Sequence, residues 1–289
     1  MASLFELFDI IKTESDCISF LAHQGIFYET LECPSCNGTL FRNITRRTLR
    51  CSTDSCRKEL SIPYGSFFYG SKLECRKILL IGYLWIHKVS IHAMCQQADI
   101  SRPTACSLVD YFRKLIEGDL EEEDTLIGGQ GIVVEIDESK LGKRKHNRGH
   151  VVDGAWVIGG VEKTPERKVF LVPIQQRNRD SLLPVILQHV RQGSIIRTDL
   201  WRAYSTLSEI GYSHETVNHS QHFTDPVTGV NTNTIEGTWN GLEIQIRPRN
   251  RTREGITEHL MEFIWRRKNS ANLWLGLLNA LKNTYYSLE

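Results

Sequence analysis

The spacing of apolar positions divides the chain into stretches of helical and of strand-like period. Residues 5–20 carry apolar side chains near helical spacing, and the same period returns over 73–86, then in shorter runs over 90–98 and 101–116. Ser101 suits an N-cap and Pro103 the first helical turn, so the last two runs, joined across Asp99-Ile100-Ser101, predict a helix-turn-helix-like pair. Residues 39–49 alternate in the manner of a β-hairpin. Beyond residue 130 strands dominate. The pattern predicts strands over 131–137, 155–162 and 168–174, a helix over 181–191, and a strand over 194–198 that runs into Asp199. A helix over 201–210 closed by Gly211, a short strand over 215–218, and helices over 233–246 and 254–268 complete it. Three strands in hairpin order, then alternating helices and strands, predict an α/β domain with a mixed sheet flanked by helices, the ribonuclease H-like layout.

Domain boundaries follow from these changes of period. Residues 1–65 are expected to hold a helix and a cysteine-bearing ribbon, and 70–118 the helix-turn-helix-like region. The acidic stretch 119–130, with Gly128 and Gly129, reads as a linker, 131–270 as the α/β domain, and 271–289 as a C-terminal tail helix.

Composition narrows the classes of function. The chain has 289 residues, 40% hydrophobic and 24% charged, in the range of a globular protein with real cores. No apolar stretch approaches a membrane span, and the first residues lack a basic segment, so neither a membrane partner nor a secretory leader is expected. Net charge is only +1, but the charges are segregated. Arg42, Arg46, Arg47 and Arg50 form one basic cluster, Lys140, Lys143, Arg144, Lys145 and Arg148 a second, and Arg247, Arg249, Arg251 and Arg253 a third. Any one could be a solvated face; three in one chain favour a polyanionic partner.

Of eight cysteines, four are paired in sequence. Cys33-x2-Cys36, fourteen residues, then Cys51-x4-Cys56 has zinc-ribbon spacing, since two turns offering two thiolates each can close a tetrahedral site. The alternative is four ordinary buried cysteines. Cys17, Cys75, Cys95 and Cys106 lack such partners and read as core residues.

Three carboxylates stand out. Asp137 and Asp199 each end a predicted strand, where ligand sites of α/β sheets lie, and a carboxylate on a buried strand is costly unless paired or metal-bound. Glu236 sits near the start of a predicted helix. An all-oxygen set suits magnesium or manganese, and two such ions about 3.5–4 Å apart can serve in-line phosphodiester displacement. Each acid alone could instead be a cap or a surface charge.

The stretch from Ile136 to Gly149, with Asp137-Glu138-Ser139 and the basic run behind it, resembles transposases of the Merlin superfamily, eukaryotic relatives of a group of bacterial insertion sequences. So do Thr198-Asp199-Leu200-Trp201-Arg202-Ala203-Tyr204, Val217-Asn218-His219-Ser220, Asp225-Pro226-Val227-Thr228-Gly229 and Asn231-Thr232-Asn233-Thr234-Ile235-Glu236. The resemblance covers about residues 130–268. Leu200 stands where related sequences often have cysteine, and Gly237 where they often have serine.

The resemblance implies a cut-and-paste DNA transposase with a ribonuclease H-like fold and an Asp-Asp-Glu triad at Asp137, Asp199 and Glu236, with 36 residues between the last two. It would use two Mg2+ or Mn2+ ions there and one structural Zn2+ on Cys33, Cys36, Cys51 and Cys56. Its partner would be double-stranded DNA, both element ends and target, held by a dimer or higher oligomer. Lys143, Arg144, Lys145, Arg148, Arg102, Arg247, Arg249, Arg251 and Arg253 are the expected DNA contacts, with His219 and His222 as possible auxiliaries. Trp201 and Trp239 read as core residues. A eukaryotic source would place the protein in the nucleus, a bacterial one in the cytoplasm. A DNA-binding regulator that has lost the reaction, or a simple nuclease, are the alternatives.

Overall fold

The computed structural model describes residues 3–43, 46, 48–142, 154–218, 224, 226 and 229–284. The chain divides into two units, residues 1–119 with 269–289, and residues 120–268.

The first unit opens with α1 (Leu4–Ile11) and α2 (Glu14–His23). One helix was expected over 5–20; there are two, because Thr13, in the polar stretch 12–16, accepts a hydrogen bond from the Asp16 amide and starts a new helix. A four-stranded antiparallel ribbon follows, of β1 (Thr30–Glu32), β2 (Thr39–Asn43), β3 (Thr48–Cys51) and β4 (Glu59–Ser61), in that order. Next come α3 (Cys75–Ile86), α4 (Ile91–Ala98) and α5 (Arg102–Gly118), which pack on one another. Asp99 ends α4 in the left-handed conformation, and Ser101 caps α5 by accepting from the Thr104 amide at 3.3 Å.

The second unit begins with α6 (Glu122–Thr125) and β5 (Ile127–Gly128), so residues 119–130, expected as a linker, carry ordered elements. The main sheet is built from β6 (Val133–Leu141), β7 (Ala155–Glu162) and β8 (Val169–Ile174). After α7 (Arg179–His189) and β9 (Val190–Arg191), which pairs with β5, it gains β10 (Ile195–Asp199) and β11 (Ser213–Val217). The strand order is β11-β10-β6-β7-β8: the first three by sequence form antiparallel pairs, and β10 and β11 join parallel to β6. Residues 201–210, expected as one helix, are two 3-10 turns, Arg202–Tyr204 and Leu207–Ile210. Tyr204, at the end of the first turn, and Leu207, at the start of the second, are both buried in the core on the α7 side.

Then come α8 (Asn233–Gln245), α9 (Ile256–Lys268) and α10 (Leu273–Asn283); the last groups with the first unit, where it contacts α3 and α5. Alternation along the sheet sorts two cores. Val157, Val161 and Leu171 face α8 and α9 beside Trp239 and Phe263, while Ile136, Ile158 and Ile196 face α7 and Tyr204. Among the described residues no helix is long and apolar enough to cross a membrane.

Candidate active site and metal centre

The ribbon brings its four cysteines together. Cys33 opens a tight turn in which its amide donates to the Gly38 carbonyl at 2.7 Å and its carbonyl accepts from Asn37 at 2.9 Å. Asn37 and Arg57 take left-handed φ values of 58° and 49°, curling the chain after each second cysteine so that both thiols of a pair point the same way. The Sγ atoms of Cys33, Cys36, Cys51 and Cys56 all lie within 4.8 Å of one another, with Cys33–Cys56 at 3.7 Å and Cys36–Cys51 at 3.5 Å. Tetrahedral zinc with bonds of about 2.3 Å would hold its sulfurs about 3.8 Å apart, so the residues fit zinc. The crowded thiols oppose one another: an amide hydrogen bond from Gly38, then the Thr53 hydroxyl, draw the Cys36 thiol down, while, against a lowering backbone bond from Lys58, the Cys36 sulfur and burial push Cys56 up. Cys17 and Cys75 are buried, and burial pushes the Cys17 thiol up to about 12.

The carboxylates are assembled by the sheet. β6 and β10 run parallel with Arg197 opposite Glu135, and two residues further along come Asp199 and Asp137. Trp239 of α8 donates its indole N–H to Asp137 at 3.0 Å. Opposite Asp137 in register stands Gly159, where a Cβ would meet the Trp239 ring at 2.8 Å; only glycine leaves room for that ring. Burial first, then the charge of Glu138, push the Asp137 carboxyl up to about 6, with Asp199 adding and the Trp239 bond opposing. Asp199 accepts the Trp201 amide at 2.9 Å, which fixes its side chain at the strand end. Glu236 lies exposed in the first turn of α8, the helix that packs on β6 and β7.

Among the described residues the cysteines form the group whose ligand atoms all draw within 4.8 Å; Asp137, Asp199 and Glu236 do not form such a group. The donor set is nonetheless all oxygen, and Asp137 carries a half-buried charge that a hard cation would relieve.

Two further acids escaped assignment from the sequence. Glu135 is fully buried on the same face of β6 as Asp137. It accepts the Thr234 amide at 2.7 Å, the Ile235 amide at 3.1 Å and the Thr234 hydroxyl at 3.0 Å, with Lys163 at 3.4 Å. Glu138 is buried on the opposite face, where it accepts from Arg177 and from the Tyr204 hydroxyl. Arg177 in turn lies 4.2 Å from the ring centre of Trp201 and 5.6 Å from that of Trp156. Glu135, a carboxylate between Val134 and Ile136 in the apolar start of the strand, was the available signal.

Lys143, Arg144, Lys145, Arg148, His219 and His222 lie outside the described residues. Arg102 is exposed at the start of α5, and Arg247, Arg249 and Arg253 are exposed after α8. Arg251 is engaged otherwise: its guanidinium donates to the Ile246 carbonyl at 2.9 Å and to that of Glu243, covering the end of α8. Gly142 and Gly154, which flank residues 143–153, are held at this same place. Gly154 bridges to Thr252, and a Cβ on Gly142 would meet the Arg251 carbonyl at 2.7 Å. Gly142 and Gly154 thus both meet the 251–252 segment that carries part of the third basic cluster.

Residues 116–267 match the family model described as ISXO2-like transposase domain. An uncharacterized transposase-like protein of Haemophilus influenzae is 34% identical over 104 residues, 36% of this chain and 83% of the relative. Among solved structures, the Mos1 strand transfer complex aligns over 72% of this chain and 78% of that one at 9% identity and a TM-score of 0.19. A pre-cleavage Mos1 transpososome aligns over 73% and 79% at 8% identity and a TM-score of 0.17. At those scores neither alignment carries an argument.

Proposed function

The chain belongs to the ISXO2-like transposase family, and from that premise we propose that it is a cut-and-paste DNA transposase of the Merlin group, with Asp137, Asp199 and Glu236 as its metal-binding carboxylates. Family membership implies a nuclease or transesterase in general, and with it a divalent metal. The observation that carries the finer reading is that Asp137 and Asp199 each lie two residues beyond the Glu135–Arg197 pair on adjacent parallel strands, with β6 packed against α8, which carries Glu236 in its first turn. The strand order, three antiparallel strands followed by two parallel ones, supports a ribonuclease H-like domain.

When bound, divalent cations such as Mg2+ or Mn2+ would activate the attacking oxygen and stabilise the leaving one. The protein's part is positional. Asp137 is oriented by the Trp239 indole N–H, and Asp199 by the Trp201 amide. The nucleophile is water for cleavage and a DNA 3′-hydroxyl for joining, so no protein nucleophile is required. Residues 143–148 and 247–253, both basic in sequence, would follow the phosphate backbone. The ribbon, holding one zinc, and the α4–α5 pair with Arg102, read as a helix-turn-helix, would recognise element ends. Joining two ends calls for at least a dimer. A eukaryotic host would place this work in the nucleus.

The test is supercoiled plasmid incubated with the protein and Mn2+, beside Asp199→Asn and a chelator control. Nicking or linearisation abolished by both supports the reading, and joined products distinguish a transposase from a simple nuclease. Cleavage undiminished in the variant would sink the site assignment. Folded, DNA-binding protein that is inert on its element ends favours a regulator.

A further inference from the structure

Glu135 poses a question that the reaction does not answer. It sits between Val134 and Ile136 in the middle strand of the sheet with no exposure to solvent. A carboxylate there is expensive unless it is fully hydrogen-bonded, and an apolar residue of similar size would avoid the cost. The hydrogen bonds it makes are concentrated on one target. Both Thr234 and Ile235 donate their amides to it, and the Thr234 hydroxyl adds a third bond. These are first-turn donors of α8 that no helical carbonyl can satisfy, at the end where the helix dipole favours a negative charge. The next residue is Glu236.

The same strand holds the same helix a second time. Two residues along β6 on the same face, Asp137 accepts from Trp239, about one turn further into α8. Lys163 reaches both Glu135 and the Asn231 side chain at 3.4 Å, so the approach to the helix is tied to the same carboxylate. A rotation or slide of the first turn of α8 would break these bonds and carry Glu236 with it.

We propose that Glu135 is a positioning residue that acts through α8, fixing the helix start so that Glu236 is presented to the cation shared with Asp137 and Asp199. The inference rests on the carboxylate assignment made above and deepens it. Groups that orient metal ligands typically change metal affinity by about 10–100-fold when altered.

The experiment is a calorimetric Mn2+ titration of the full chain without DNA. It compares wild type, Glu135→Gln, Glu236→Gln and the double variant, with thermal melting in parallel. Glu236→Gln is expected to weaken Mn2+ binding about tenfold or more, Glu135→Gln to weaken it comparably, and the double variant no further than the worse single one. Thr234→Val, which removes one of the three bonds while leaving the carboxylate buried, is expected to cost a few-fold, and it decides the matter if Glu135→Gln does not fold. Unchanged Mn2+ affinity in Glu135→Gln and Thr234→Val, or losses that multiply in the double variant, would overturn the proposal while leaving the carboxylate site intact. Unchanged affinity in Glu236→Gln would overturn both.

Discussion

In the ribbon, each cysteine pair spans a single turn of two or four intervening residues, and the turn's own hydrogen bonds aim both sulfurs. In the sheet, Asp137, Asp199 and Glu236 are separated by 61 and 36 residues and come from two strands and a helix. The first site is closed by local geometry and leaves no ligand position open, as structural zinc requires. The second depends on register and on each contact that fastens α8 to β6. A locally closed site is expected to fail all at once when one ligand is lost. One assembled by topology is expected to weaken in steps.

The largest effect that sharpens this contrast is at the ribbon. Cys51→Ser should release the zinc, seen by elemental analysis as loss of one equivalent, and unfold the ribbon, because metal binding of about 10–16 kcal/mol is folding free energy in such modules. Mn2+ binding at the carboxylates should be retained. Retained zinc, or lost Mn2+ binding, would break the distinction between the two sites.

A smaller effect is expected at Asp137 and depends on pH. Its folded-state value of about 6 lies above the ordinary 3.8, so the fold favours the neutral carboxyl. That contribution to stability is fully present below pH 3.8 and is lost as pH rises through about 6. With a chelator present, Asp137→Asn should therefore become more stable than wild type above neutrality, by on the order of 2–3 kcal/mol. The difference should shrink toward pH 4, and Mn2+ should reverse it. Denaturant melts at several pH values measure this; a pH-independent difference would argue against burial as the cause.

The smallest is Gly159→Ala. The added methyl would meet Trp239 of α8 at 2.8 Å and Leu171 of β8 at 3.0 Å, in the layer packed between helix and sheet. A loss of about 1–3 kcal/mol is expected, with a red-shifted tryptophan emission as the ring is displaced. Unchanged stability and emission would mean that the helix is held less tightly than its contacts suggest.

The strands were legible in the chain because alternation survives wherever one residue faces each core, as at Val157, Ile158 and Val161. The cysteine cluster was legible because spacing alone defines a turn. Other features depend on contacts that spacing does not encode. The break at Thr13 falls in the polar run 12–16, which helical spacing on either side bridges, and the 3-10 turns after Asp199 have nearly the apolar period of a helix. Asp137 and Asp199 could be named from their strand ends, but the partners of Glu135 are 99 and 100 residues away, and only the fold brings them together. Arg251 reads as one more cation in a basic run until its carbonyl partners are seen.

The last helix has a consequence of another kind. Trp274 of α10 stacks edge-on against Tyr83 of α3 at 5.6 Å, and α10 also contacts α5, so the first unit is completed by residues that follow the whole of the second. The second unit is, in chain order, an insertion. During synthesis the inserted unit has all its residues once Lys268 has emerged from the ribosome. The earlier-made unit must wait with the α3 and α5 surfaces uncovered until α10 arrives. The order of translation and the order of completion are therefore inverted. A chain shortened before Leu273 would strand the unit that was made first, not the one that was made last.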